Sequence, residues 1–291
     1  MTTDKPIIQF GWLRVLLYTI LSLVLVFGIS IIIGVIQVAS GTTDINEEQS
    51  LLSFIGYYTV VAIVLIGLAF LFRRLTDKQS MRSMGFSWIG YSNHAAAGFF
   101  LGILLLCIGA IILVMLQFLF FAGVDLNVSN LLYSLLLFIL VAFTEEIAFR
   151  GYILNNLMQS MNKWIALTIS ALLFALFHAS NDNVSVIALL NILVAGFLLG
   201  INYIFTKNLW FAIFLHFSWN FFQGPILGFE VSGFATSGLF QQTMKGPDLL
   251  TGGDFGFEGS LICLLINTIT TVILAFYYSR STSTTVTESE S

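Results

Sequence analysis

The sequence predicts an all-α protein, a polytopic transmembrane helix bundle of about eight spans with both termini in the cytoplasm. Three observations predict it. Hydrophobic residues make up 58% of the 291 and charged residues 9%, whereas a soluble domain is about a quarter charged. Eight apolar segments reach or approach the roughly 20 residues that a membrane-crossing helix needs. The Lys and Arg residues between those segments fall on alternate connections, as the positive-inside rule requires of a multi-span chain. The formal net charge of -4 is small and spread out, which gives no reason to expect nucleic acid as a partner. Membrane lipid and a membrane-associated peptide or protein are the expected partners.

In chain order the segments are residues 15–38, 51–72, 95–121, 131–153, 164–178, 184–205, 209–222 and 261–278. The first is long enough to span and has no cleavage site, so it reads as a span and not a signal peptide. Segments five and seven are short, which suits helices enclosed by the bundle. Arg73, Arg74, Lys78 and Arg82 lie between spans two and three. Arg14, Lys163, Lys207 and Arg280 fall on the same side, and Asp44, Glu47 and Glu48 on the other. Residues 223–259 form the longest connection, rich in Gly and Phe, and should pack over the mouth of the bundle. No internal repeat is visible. The chain thus reads as one membrane domain over 1–280, followed by an unstructured cytoplasmic tail over 281–291.

Ionisable groups inside a span are costly and mark function. His94 lies just before span three and reads as interfacial. Cys107 and Cys263 sit in apolar runs without ligand spacing, and read as packed or lipid-facing. The remaining polar groups gather on three spans. Span four carries F-T-E-E-I-A-F-R over residues 143–150. Glu146 and Arg150 are four apart and share a face, so they can pair. Glu145 is rotated by about 100° from Glu146 and lacks that partner. A lone carboxylate in low dielectric calls for another cation, a metal or a protonated His. Span five ends F-A-L-F-H, with Phe174 one turn before His178. Span seven carries H-F-S-W-N, with His216 and Asn220 on one face.

Two His and a Glu are a known ligand set for hydrolytic zinc, here Glu145, His178 and His216, with the fourth position held by water. The amide of Asn220 can hold an oxyanion. That combination reads as peptide hydrolysis within the membrane. Two axial His ligands to a haem would leave both Glu, Arg150 and Asn220 unexplained. A proton-relaying transporter should show paired halves, and none is visible. A membrane scaffold using the same polar cluster without catalysis is the other alternative.

The three motifs resemble those of the CPBP family, the CAAX protease and bacteriocin-processing (Abi) membrane proteases. E-E-x-x-x-R matches residues 145–150, F-x-x-x-H residues 174–178 and H-x-x-x-N residues 216–220, in the family's order. The resemblance covers a protease core of about 131–222. It implies an eight-helix intramembrane protease whose cavity opens toward the cytoplasmic half. It assigns water activation to Glu145 with His178, the oxyanion to His216 and Asn220, and support to Glu146 and Arg150. Family chemistry is written either with Zn2+ or with a metal-free glutamate, and the same residues serve both schemes. Members of the eukaryotic type trim prenylated proteins; bacterial relatives are linked to peptide maturation, bacteriocin self-immunity and surface display. The short basic loops and Ser/Thr tail resemble the bacterial kind, which implies a bacterial plasma membrane.

Overall fold

The computed structural model describes the backbone of residues 5–40 and 47–289, and the side chains of 5–40 and 51–280. Every apolar segment contains a helix. These are α1 (Gly11–Ser40), α2 (Glu47–Leu75), α3 (Ser92–Met115), α4 (Val128–Glu146), α5 (Lys163–Phe177), α6 (Val186–Ile201), α7 (Trp210–Phe221) and α8 (Leu261–Ser289). Two of them change pitch: α4 runs into a π-helix at Ile147–Leu154, and α7 into another at Phe222–Ile226. Side-chain oxygens start several helices. Asn127, Asn162 and Ser185 accept from the backbone N–H of Asn130, Trp164 and Ala188, satisfying donors that the helix itself leaves free.

Among the described residues, six helices are long and apolar enough to cross a membrane: α1, α2, α3, α4 with its continuation, α6 with its continuation, and α8. Helices α5 and α7 have 15 and 12 residues. At 1.5 Å per residue that is about 22 and 18 Å, short of a hydrocarbon core of about 30 Å. Eight of the 12 residues of α7 are buried, as expected of a helix shielded by its neighbours. The large apolar side chains of α1 beyond its first three turns, such as Phe27, Ile32 and Val38, are instead exposed. They form the surface that lipid covers.

Two features differ from the sequence reading. The third apolar segment does not continue as helix to Phe121. It stops at Met115, Gln117 turns through a left-handed conformation, and Leu119–Val124 becomes a strand, β1. β1 pairs antiparallel with β2, Phe240–Met244 in the long connection, with a register shift between Phe121 and Gly123. The second concerns the C-terminus. Expected to be unstructured from Ser281, the chain continues as helix to Ser289, with no Gly or Pro to stop it; residues 290–291 and Asp44 lie outside the described residues.

Small residues set the closest helix contact. Gly98 and Gly102 of α3 are four apart and lie against α7. A Cβ at Gly98 would run into the carbonyl oxygen of Phe211, and one at Gly102 into Ser218 Oγ. Such small-xxx-small stripes let backbones touch in a membrane. Gly98→Val should therefore separate α3 from α7, which carries His216. Lower yield and a lower melting temperature in detergent are the expected result, whereas unchanged melting would show that the contact is dispensable.

The two ends of the bundle differ in charge. At one end Arg14 and Arg73 both bond Asp77, at 3.2 and 3.0 Å, all three buried. Ile7 N–H reaches Thr76 O, Gly11 N–H reaches Ser160 Oγ, and Asn155 donates to Ser83 O, tying the neighbouring connections to this basic end. At the opposite end lie the β1–β2 sheet and the long connection, where Asn181 donates to Ser232 O and Phe54 stacks on Phe234 at 4.3 Å.

Candidate active site

Glu145 and Glu146 lie at the last turn of α4, where the backbone passes into the π-helix. A π-turn shifts the phase of the residues after it, and such turns concentrate at functional sites. Glu146 is fully buried and pairs with Arg150, Oε1 to Nη1 at 2.9 Å. Arg150 also donates to Gly196 O at 3.1 Å and lies over the Phe174 ring at 4.5 Å. The guanidinium is thus held by a carboxylate, a carbonyl and an aromatic face. Phe174, expected as a supporting residue, is buried and provides that face.

The same Glu146 Oε1 accepts a hydrogen bond from His216 Nδ1 at 2.8 Å. Glu146 therefore orients His216 as well as balancing Arg150, a link that the sequence did not reveal. His178 caps the C-terminus of α5, and its Nδ1 donates to the Phe174 carbonyl at 2.8 Å. Each imidazole thus has its Nδ1 fixed by a partner, which leaves Nε2 as the working atom. Both Nε2 atoms face Glu145 Oε2, from His178 at 3.8 Å and from His216 at 3.9 Å. These separations exceed a direct hydrogen bond and suit a small group held between. Glu145 Oε2 is buried with no hydrogen-bond partner among the described residues. Tyr58 of α2 donates to the other oxygen, Oε1, at 3.0 Å.

Asn220 lies one turn after His216 and lines the same space. Two cavities meet at His178, His216 and Asn220. The larger, of about 470 Å³, lies between α1, α2 and α4, and has Glu145 and Tyr58 in its wall. The smaller reaches toward α6 and α8, past Asn191, Asn267 and Glu258. His94 stands apart, hydrogen-bonded to Asn202. Cys107 is exposed on α3 and Cys263 is buried in α8.

Several contributors escaped the sequence reading. Tyr58 sits in an apolar helix beside Tyr57, and a phenol there needs a partner. Glu258 accepts from Trp219 Nε1 at 2.8 Å, and from Ser232 N–H and Oγ at 2.8 and 2.7 Å. It thereby clamps the long connection onto the residue before Asn220. The buried Oδ1 atoms of Asn191 and Asn267 have no hydrogen-bond partner among the described residues. Polar residues in otherwise apolar helices were the available signal for both.

The donor atoms Glu145 Oε2, His178 Nε2 and His216 Nε2 are of the kind that zinc takes. As they stand, no group of three or more His, Cys, Asp or Glu among the described residues is drawn together closely enough to count as a metal site.

The fold and this centre define a class: a membrane helix bundle with a carboxylate and two imidazoles facing one another at a cavity floor. Residues 127–222 match the family model described as Type II CAAX prenyl endopeptidase Rce1-like, in agreement with the resemblance that the three motifs carry. The matched segment runs from the N-cap of α4 through α7 and carries Glu145, Glu146, Arg150, Phe174, His178, His216 and Asn220. No curated protein and no solved structure matches the chain.

Proposed function

We propose that the protein is an intramembrane endopeptidase that hydrolyses a peptide bond of a membrane-associated peptide or protein, with Glu145 activating the water. The observation that carries this reading is the convergence of both imidazole Nε2 atoms, at 3.8 and 3.9 Å, on Oε2 of Glu145, which has no hydrogen-bond partner among the described residues. The chain has both termini in the cytoplasm and resides in a bacterial plasma membrane, with residues 131–222 as its protease core.

The chemistry follows from the atoms. Water between Glu145 Oε2 and His178 Nε2 gives a proton to Glu145 as its oxygen attacks the peptide carbonyl carbon. Tyr58 holds Oε1, which keeps Oε2 pointing at the water. Asn220 Nδ2 donates to the oxyanion. The carbon–nitrogen bond breaks as the proton on Glu145 passes to the leaving nitrogen. His216 joins Asn220 at the oxyanion when Nε2 carries a proton. Since Nδ1 already gives its proton to Glu146, that state is an imidazolium with Glu146 as its counter-ion.

Zinc would need the opposite state, a bare Nε2 on His216. Glu145, His178 and His216 would hold the ion, which lowers the pKa of a bound water. The protonation of one atom thus separates the two schemes. If zinc is resident, purified protein should contain near one zinc per chain, and His178→Ala should lose it. Full activity in metal-free protein after chelation would assign the reaction to Glu145 alone.

The test of the enzymatic reading is product loss. Membranes from cells carrying wild-type protein should yield peptides that are absent with Glu145→Gln, as read by mass spectrometry of the peptide pool. Identical pools would leave a scaffold.

A further inference from the structure

We infer that the catalytic centre is entered from the side of the membrane away from the cytoplasm, so that its substrate is a peptide segment exposed on that side. The substrate part rests on the proteolytic reading above; the route of entry does not. This is the reverse of the cytoplasmic opening that the family resemblance implies.

Charge gives the orientation. Of the 11 Lys and Arg residues, nine belong to the basic end: Lys5, Arg14, Arg73, Arg74, Lys78, Arg82, Lys163, Lys207 and Arg280. Arg150 is buried in the centre and Lys245 alone lies at the sheet end, its ammonium over the Phe120 ring. The bias of Lys and Arg in short connections sets membrane orientation, and basic loops stay in the cytoplasm. The basic end is therefore cytoplasmic.

Packing gives the route. Every connecting residue in the wall of the larger cavity comes from the opposite end: Ser180, Asn181, Val231, Ser232 and Phe234. Along α4 the cavity is lined by Leu137, Phe138, Val141 and Glu145, and one turn further on the buried Phe149 of the π-helix forms its floor. Toward the cytoplasm the way is closed. Residues 146–154 are all buried, and beneath them Tyr152 packs on Tyr18 at 4.6 Å and approaches Asp77 of the Arg14–Asp77–Arg73 network. Opening that floor would expose a buried ion network and a closed π-helix. The opposite face needs no such change, because Ser180 in the cavity wall is already exposed. The lining from α1 and α2 includes Leu23, Phe27, Phe54 and Val61, which suits an apolar stretch of the entering segment.

The experiment is cysteine labelling in intact cells with a membrane-impermeant maleimide, on a Cys107→Ala background. Ser180→Cys reports the cavity mouth, Asp182→Cys the loop beside it and Gln79→Cys the basic end; all three positions are exposed. Ser180→Cys and Asp182→Cys should label in intact cells, and Gln79→Cys only after permeabilisation. Gln79→Cys labelling in intact cells, with the other two protected, would overturn the orientation. Labelling of Asp182→Cys but never of Ser180→Cys, even after permeabilisation, would overturn the open mouth. Adding Glu145→Gln to each variant should leave these patterns unchanged. A failure of the entry route therefore shows in the labelling, and a failure of the proteolytic reading shows only in the peptides.

Discussion

Glu145→Gln protein is expected to accumulate at the wild-type level and to cleave its substrate at least roughly 10²-fold more slowly. The first half follows from the contacts. Gln is nearly isosteric, so packing survives. Its Oε1 still accepts from Tyr58, and its amide NH2 then lies where Oε2 stands, facing two imidazole nitrogens at 3.8 and 3.9 Å. Nothing in the fold requires the charge of Glu145, because Arg150 is balanced by Glu146. The second half follows from what is removed. An amide takes no proton from water and passes none to a leaving nitrogen, whether or not a metal shares the site. Detergent melting together with a quantitative product assay checks both halves. Normal product levels from a stably folded variant would remove Glu145 as the water-activating group.

The comparison with Glu146→Gln sharpens this result. The sequence pairs Glu146 with Arg150, which predicts that its loss acts mainly through stability. In the structure the same oxygen accepts from His216 Nδ1. The Gln amide oxygen can still accept from both Arg150 and His216, but it is neutral, so His216 loses the counter-ion of its imidazolium and Arg150 its balancing charge. Glu146→Gln should therefore lower the rate as well as the protein level.

What could be read from the sequence follows from how each feature is encoded. Helices written as long apolar runs were legible, because lipid forbids alternatives. So was the Glu146–Arg150 pair, since four residues along a helix fixes a shared face. The His178–Glu145–His216 meeting was legible only as a convergence of motifs; spacing within each helix says nothing about distances between helices. The β1–β2 sheet was hidden. Its first strand, L-F-F-A-G-V, is as apolar as the helix before it, and its partner lies over 100 residues away. The cavity mouth was hidden for a related reason, since it depends on short α5 and on where the connection 223–259 folds back. Tyr58 and Glu258 reach the site from outside the matched segment, so no motif pointed to them.

Arg150→Ala is expected to cost about 3–5 kcal/mol, the range for removing one partner of a buried ion pair, and to lower the protein level sharply. Both side chains are almost fully enclosed, with Arg150 at 1% exposure and Glu146 at 0%. Truncation would leave the Glu146 carboxylate with only His216, open a void beside Phe174, and strip the Gly196 carbonyl of its donor. The double variant Glu146→Gln with Arg150→Met removes both charges and refills most of the volume, so it should recover much of the level. It should not recover activity, because His216 Nδ1 would face an amide in place of a carboxylate. Stability and catalysis thus separate in one pair of variants. Melting temperature and abundance read the first, and product formation reads the second. If Arg150→Ala melts like the wild type, the pair carries no stabilising load. If the double variant regains cleavage along with its level, Glu146 serves Arg150 alone and has no part in orienting His216.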